Sequence, residues 1–151
     1  MRRSASYGKS YEDYLEAIYK LSFEGKKVSV TNLAKILNVK PSSVVEQLRK
    51  LSDKKLIIYK KGEEIRLTRK GSRLARQIFE RHIILKKFLS EILMLPEEIA
   101  EKDACSMEHY LHKDTIERLK KLTIYVLDKK SENTSFSEDL RNIFSDLFLK
   151  R

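Results

Sequence analysis

The sequence predicts a mainly α-helical chain, with an N-terminal winged helix-turn-helix followed by an all-helical domain. Three observations support this fold class. Apolar residues recur at helical spacing through most of the chain. Two short helical patterns meet at a turn before Pro41, as in a helix-turn-helix. Two runs that contain apolar and β-branched residues then flank Gly62, as the strands of a hairpin would. We expect the first domain to cover residues 1–70 and the second to cover residues 71–151.

Composition is typical of a folded soluble protein. Of the 151 residues, 41% are hydrophobic, which is enough to bury a core. No window approaches the roughly 18 uncharged apolar residues that a membrane span needs, and no apolar signal core follows the basic start of the chain. We therefore expect a cytoplasmic protein with no membrane partner.

Basic charge is concentrated in the N-terminal part of the chain. Residues 1–87 carry 22 Lys or Arg against 9 Asp or Glu, whereas residues 88–151 have a net charge of −3. This asymmetry suits a polyanion such as DNA, although membrane surfaces and acidic proteins would also be attracted.

The first helix is predicted over residues 10–24, where apolar side chains form a helical stripe. Asp13 and Glu16 stand three residues apart in this helix and could reach a shared ligand. Each also has a structural alternative, because Asp13 fits a capping box with Ser10 and Glu16 can pair with Lys20.

A helix-turn-helix is predicted next. One short helix opens at Ser29, and a second runs from about Ser42 to Lys54. Apolar residues in the second helix repeat at i, i+4 and i+7 and should face the core, which leaves a polar outer face. A recognition helix presents such residues to the major groove, although an ordinary solvated face has the same composition. The candidate DNA contacts on this face are Ser42, Ser43, Glu46, Gln47 and Lys50.

A two-stranded wing should follow the recognition helix. Residues 56–60 and 64–68 read as strands, with Lys61, Gly62 and Glu63 forming the turn between them. Three helices and a basic hairpin in this order make a winged helix. The candidate phosphate contacts on the wing are Lys60, Lys61 and Arg66.

A long helix is expected after the wing. Thr68 can cap its start, and apolar residues at helical spacing continue to about Leu93. A helix of roughly 25 residues is about 38 Å long, longer than the small domain before it. Part of its apolar face is therefore expected to meet further helices or a second chain.

Three more helices are predicted in the remaining sequence. Pro96 occupies the first position of the next helix. Asp114 and Glu117 fit a capping box that opens another helix. A polar linker over residues 128–135 should then lead to a final amphipathic helix over residues 136–149.

A thiol, a carboxylate and an imidazole lie within five residues of one another. In a helix, Glu108 at i+3 and His109 at i+4 share a face with Cys105, so three metal-binding groups converge. Glu101, one turn earlier, is a further candidate. This clustering predicts a transition-metal site that controls the DNA-binding unit. The other candidate ligands come from two other helices and are Asp13, Glu16 and His82.

Two other interpretations use the same residues. In a metal-independent winged-helix regulator, Cys105 and His82 would be core residues. In an enzyme, Cys105 would be a nucleophile with His109 as its base. No third orienting group or oxyanion loop accompanies that pair, and the chain has only four glycines. We therefore expect a protein that is not an enzyme.

The order of these elements and several short motifs resemble the DtxR/MntR family of metal-dependent transcriptional repressors, over about residues 7–127. The resemblance implies a homodimeric winged-helix protein that binds operator DNA when Fe(II) or Mn(II) is present and shuts off metal-uptake genes. The motifs are Ser10–Tyr19, Pro41–Val44, Leu67-Thr68-x-x-Gly71, His82 and Cys105-x-x-Glu108-His109. The metal ligands that the resemblance implies are Asp13, Glu16, His82, Cys105, Glu108 and His109.

The implied ligand set combines two branches of that family. Asp13 and Glu16 match the manganese-responsive branch, whereas Cys105 matches the iron-responsive branch. Carboxylates favour Mn(II), and a thiolate favours softer ions, so the set leans towards Fe(II), with Zn(II) or Co(II) able to substitute.

A second metal site of the iron branch would use the positions of His82, Lys86 and Glu101. Lys86 cannot be a ligand while it is protonated, so we do not expect a second site of that form. His82 and Glu101 could still join the primary set in a two-metal cluster.

Overall fold

The computed structural model describes residues 9–60 and 62–148. It confirms the mainly α-helical fold class, with a short hairpin between the third and fourth helices. In chain order the elements are α1 (Lys9–Phe23), α2 (Val30–Leu37), α3 (Pro41–Asp53), β1 (Ile57–Ile58), β2 (Arg66–Leu67), α4 (Arg69–Lys87), a π-helical turn (Phe88–Ile92), α5 (Glu97–Met107), α6 (Lys113–Glu132) and α7 (Thr134–Phe148).

The chain divides into two compact units, and the division lies within α4, between Glu80 and Arg81. Among the helices that the structure describes, none combines the length and apolar character needed to cross a membrane.

The first unit is built around one apolar core. Leu15 and Ile18 of α1 are fully buried, as are Leu48 and Leu51 of α3, so the apolar positions of the sequence pattern face inward. Burial of each such side chain stabilises the fold by about 1.5–3 kcal/mol.

The helix-turn-helix has clear signals at both of its ends. The Ser29 hydroxyl accepts a hydrogen bond from the backbone N–H of Asn32 at 3.2 Å and caps α2. Asn38 ends α2 in the left-handed conformation, with φ of 52°. Pro41 then occupies the first turn of α3, where its missing N–H costs nothing.

The wing is shorter than the sequence pattern suggests. The two antiparallel strands pair at only two positions, Ile57 with Leu67 and Ile58 with Arg66. The turn begins at Lys60, whose carbonyl accepts the N–H of Glu63 at 3.0 Å, so the residues around it do not extend the ladder.

The start of α4 is hydrogen-bonded to, and closely packed against, the residues just before β1. Thr68 Oγ1 accepts the N–H of Gly71 at 3.0 Å and lies 2.8 Å from the Lys55 carbonyl oxygen. A Cβ at Gly71 would lie 1.8 Å from the carbonyl oxygen of Leu56, so only glycine fits this position. Thr68 and Gly71 therefore let the start of α4 pack closely against the backbone of Lys55 and Leu56, just before β1.

In the second unit, Leu85 and Leu89 pack with Ala100 and Ala104 of α5. The last turn of the long helix is π-helical, and the N–H of Leu93 bonds the carbonyl of Phe88 at 3.1 Å. The chain then turns at Met94, with φ of 55°.

The prediction of a linker over residues 128–135 is wrong, because α6 continues to Glu132. Lys130 holds this last part of α6 by donating to the carbonyl oxygen of Glu91 at 3.1 Å. Asn133 alone separates the two helices, and its side-chain oxygen caps α7 by accepting the N–H of Ser135 at 2.9 Å. Asp114 lies in the first turn of α6 and not at its cap, which is His112.

Candidate metal centre and nucleic-acid surface

The second unit contains a buried carboxylate between two imidazoles. Glu108 caps the C-terminal end of α5, and its side chain has no exposed surface. Its Oε2 lies 3.0 Å from His82 Nδ1, and its Oε1 lies 3.3 Å from His109 Nε2. The two rings are themselves 7% and 2% exposed. A buried carboxylate is stable only with such partners or with a cation.

The convergence predicted from helical spacing is present. Cys105 is half-buried on α5. One donor atom from each of Cys105, Glu108 and His109 lies within 4.8 Å of the other two. The helix ends at Met107, but Glu108 keeps helical backbone angles, with φ of −59° and ψ of −26°. The i+3 relation therefore survives the end of the helix.

These groups fit a transition-metal ion. Two donor atoms on one ion, each about 2.0–2.3 Å from it, lie at most about 4.6 Å apart, and the donor atoms of this cluster lie within 4.8 Å of one another. Among the described residues, Glu108 Oε1 accepts no well-aligned hydrogen bond although it is buried. A cation would satisfy this atom.

Glu101 connects the cluster to a lysine. Its Oε1 lies 3.2 Å from His82 Nε2, and its Oε2 lies 2.9 Å from Lys86 Nζ. Burial raises the pKa of the Glu101 carboxyl, but Lys86 and His82 outweigh this effect and hold that pKa below its usual range. Hydrogen bonds that the Lys86 ammonium donates to Glu97 and Glu101 raise the pKa of Lys86, so this group stays charged.

The remaining two candidate ligands belong to the first unit. Asp13 and Glu16 lie about one turn apart on α1, and both are half-buried. Their part in metal binding stays a prediction.

The candidate DNA contacts on α3 have different environments. Ser42 and Ser43 are exposed at the N-terminal end of the helix. Glu46 and Lys50 are also exposed and form an ion pair of 2.5 Å. Gln47 is half-buried, and its buried Oε1 has no hydrogen-bond partner among the described residues. Gln47 is therefore less exposed than the helical pattern suggests.

One further cation on α3 was not among the candidate contacts. Arg49 is exposed on the same helix as Lys50 and Glu46. The sequence signal that could have identified Arg49 as a candidate is its position beside Lys50 on the polar outer face of the helix.

The cations of the wing are paired with carboxylates of the wing itself. Lys60 Nζ lies 3.7 Å from Glu63, and Arg66 lies 3.0 Å from Glu64. All four side chains are largely exposed, so these pairs are weak and can open for a phosphate. Lys61 lies outside the described residues.

Comparison with known proteins covers both units. The family model for the iron dependent repressor N-terminal DNA binding domain matches residues 7–64. The model for the iron dependent repressor metal binding and dimerisation domain matches residues 68–129. The HTH-type transcriptional regulator MntR of Bacillus subtilis is 34% identical over 134 residues, which are 89% of this chain and 91% of that protein. The chain belongs to the DtxR/MntR family of metal-dependent transcriptional regulators.

Other DtxR/MntR relatives agree with this assignment. An uncharacterized HTH-type transcriptional regulator of Methanocaldococcus jannaschii is 42% identical over 112 residues, covering 74% of this chain and 90% of that protein. The solved structure of the manganese regulator SloR superposes with a TM-score of 0.68 at 31% identity, covering 76% of this chain. This chain spans about half of the SloR chain, 54%.

Family membership confirms that the chain is a metal-dependent transcriptional repressor, and the metal-independent alternative is not supported. The chain carries a DNA-binding domain and a metal-binding and dimerisation domain. The family consists of transcriptional regulators.

Proposed function

We propose that this DtxR/MntR-family chain is a homodimer that binds operator DNA when it holds Fe(II), or less favourably Mn(II), and that it controls genes of metal-ion homeostasis. The observation that carries the proposal is the fully buried carboxylate of Glu108, which lies between His82 and His109 beside the Cys105 thiol. Burying an ionisable group without function would be costly. We assign DNA binding to residues 1–70, and metal binding and dimerisation to residues 71–151.

The ligand set proposed here draws on three helices. The resemblance to the family supports the two carboxylates of α1, and the geometry of the second unit supports the others. A thiolate beside carboxylates and imidazoles favours Fe(II), and Zn(II) or Co(II) would also be accepted. SloR is a manganese regulator by name, so Mn(II) stays within the proposal. The proposed ligands are Asp13, Glu16, His82, Cys105, Glu108 and His109.

The proposed mechanism is a restriction of motion. When α1 and α5 contribute ligands to one ion, the DNA-binding unit loses freedom relative to the dimerisation unit. A dimer binds an operator well only if its two α3 helices match the spacing of successive major grooves, about 34–36 Å. The metal-bound state would therefore be the binding-competent state, and metal would raise DNA affinity by shifting the population towards it.

The proposed DNA surface combines base reading with phosphate contacts. The exposed face of α3 would enter the major groove, and the wing would contact the adjacent backbone. The residues proposed for α3 are Ser42, Ser43, Glu46, Gln47 and Lys50. Those proposed for the wing are Lys60, Lys61 and Arg66.

The test is a titration of DNA affinity against Fe(II), Mn(II), Zn(II) and Co(II) under anaerobic conditions, with a chelator as the metal-free reference. DNA selected from a random pool in the presence of Fe(II) supplies the operator. The proposal predicts tight binding with Fe(II), weaker binding with Mn(II) and little specific binding in chelator. Equal affinity in chelator and in Fe(II) would overturn it.

A further inference from the structure

A row of charged groups extends outward from the candidate metal centre. Glu101 Oε1 lies 3.2 Å from His82 Nε2, and Glu101 Oε2 lies 2.9 Å from Lys86 Nζ. Lys86 in turn lies 2.5 Å from Glu97 Oε1. Because both oxygens of Glu101 have partners, this carboxylate is already engaged on the side of His82 that faces away from Glu108.

The row holds two helices together at a fixed register. His82 and Lys86 are four residues, about one turn, apart on α4, and Glu101 and Glu97 are one turn apart on α5. The two pairs face each other, with His82 beside Glu101 and Lys86 beside both glutamates. The side chains of His82 and Lys86 are only 7% and 27% exposed. The contacts of Glu101 are therefore partly shielded from solvent, whereas Glu97, whose side chain is 67% exposed, forms an ordinary surface pair with Lys86.

This arrangement decides which nitrogen of His82 is available to an ion. A neutral imidazole carries its proton on one ring nitrogen and a lone pair on the other. Each ring nitrogen of His82 faces a carboxylate: Nε2 faces Glu101, and Nδ1 lies 3.0 Å from Glu108 Oε2. Glu101 is also bound by Lys86, whereas Glu108 is a proposed metal ligand. An ion bound beside Glu108 would therefore take the place of a proton on Nδ1, and the proton of the neutral ring would lie on Nε2, facing Glu101. A carboxylate behind a metal-bound imidazole also makes the ring a stronger ligand.

We propose that Glu101, held in place by Lys86, is a positioning residue and not a metal ligand, and that it presents Nδ1 of His82 to the metal. This inference rests on the proposed metal site. It differs from the sequence expectation, which counted Glu101 among the candidate ligands. If Glu101 were a ligand, the ion would lie on the Nε2 side of the ring, and Nδ1 would carry the proton. The two arrangements differ in which nitrogen of His82 binds the metal and which carries the proton.

The direct test is a long-range proton–nitrogen NMR correlation on the intact chain labelled with ¹⁵N-histidine and loaded with Zn(II), which is diamagnetic. The signals of His82 are assigned with His82→Gln. We expect Nε2 of His82 to carry a proton and Nδ1 to bind the metal. Metal on Nε2, with the proton on Nδ1, would overturn the inference while leaving the proposed function intact. A chain that binds neither Zn(II) nor Fe(II) nor Mn(II) would overturn both.

Substitutions test the same inference through Zn(II) affinity, measured by competition with a chelator. Glu101→Leu should weaken binding about 10–100-fold, as loss of an outer partner of a metal-bound histidine does. The matched control is Glu98→Leu, which removes an exposed carboxylate of the same helix and should leave the affinity within about 2-fold. An unchanged affinity in Glu101→Leu would contradict a positioning role.

Lys86 is tested by the same affinity measurement. Lys86→Met should weaken Zn(II) binding because Glu101 is then no longer held against His82, and Lys86→Arg should keep the wild-type affinity because it keeps the charge and the hydrogen bonds. Lys87→Met, at an exposed neighbour, is the control and should leave the affinity unchanged. Wild-type Zn(II) affinity in Lys86→Met would remove Lys86 from the proposal.

Discussion

Gly71→Ala is the sharpest test of how the DNA-binding unit is packed, because the structure decides the sign of its effect. At an open helical site, replacing glycine by alanine stabilises a protein by about 0.5–1 kcal/mol. Here the new Cβ would lie 1.8 Å from the Leu56 carbonyl oxygen, a distance that has to grow beyond 3.0 Å. That oxygen also accepts the N–H of Thr68 at 3.0 Å, so moving it strains a second contact. Overpacking of this kind costs about 1–3 kcal/mol. After the gain of about 0.5–1 kcal/mol from alanine is subtracted, we expect a net loss of up to about 2 kcal/mol.

The assay is urea unfolding of the metal-free chain at fixed protein concentration, followed by far-ultraviolet circular dichroism because the chain has no Trp. Gly25→Ala is the control, since nothing lies within 4 Å of its Cβ position and only its φ of +66° opposes alanine. That change should cost about 1–2 kcal/mol through backbone conformation alone. A Gly71→Ala chain as stable as wild type, or more stable, would refute the packing argument.

Three further predictions concern function. Asp13→Ala should weaken metal-dependent operator binding and leave the dimer intact by sedimentation. Asp103→Ala, at an exposed carboxylate, is the control and should change neither operator binding nor the dimer; unchanged metal dependence in Asp13→Ala would exclude Asp13 as a ligand. Lys60→Ala should lower DNA affinity for every sequence and reduce the salt slope by about 1; a change confined to one base position would contradict a phosphate contact. Glu46→Gln removes the carboxylate that pairs with Lys50, so non-specific DNA affinity should rise and its salt dependence steepen; lower non-specific affinity would contradict this.

Features set by local spacing could be predicted from the sequence. The approach of Glu108 to Cys105 follows from helical geometry, because Glu108 keeps helical backbone angles one residue past the end of α5. His109 lies in the turn that follows and still meets the same cluster. The same is true of the buried face of α3, where Val44, Leu48 and Leu51 are all fully buried. The start of α2 at Ser29 followed from capping chemistry.

Features that depend on contacts between elements could not be predicted. The sequence shows Lys86 and Glu101 as ordinary charged residues, and only the packing of α4 on α5 brings them together with His82. Likewise, the polar run at the end of α6 resembles a linker in the sequence. The contact that holds it, from Lys130 to Glu91, joins residues 39 positions apart, so no local pattern shows it. The half-buried position of Gln47 also depends on neighbours that a helical pattern does not specify.

The central claim is that Cys105, Glu108 and His109 hold a transition-metal ion. The most direct measurement is anomalous diffraction at the iron edge from crystals grown anaerobically with Fe(II). The account predicts an iron peak within bonding distance of Cys105 Sγ, Glu108 and His109. Iron bound elsewhere, or these side chains arranged as they are without any iron peak between them, would contradict it.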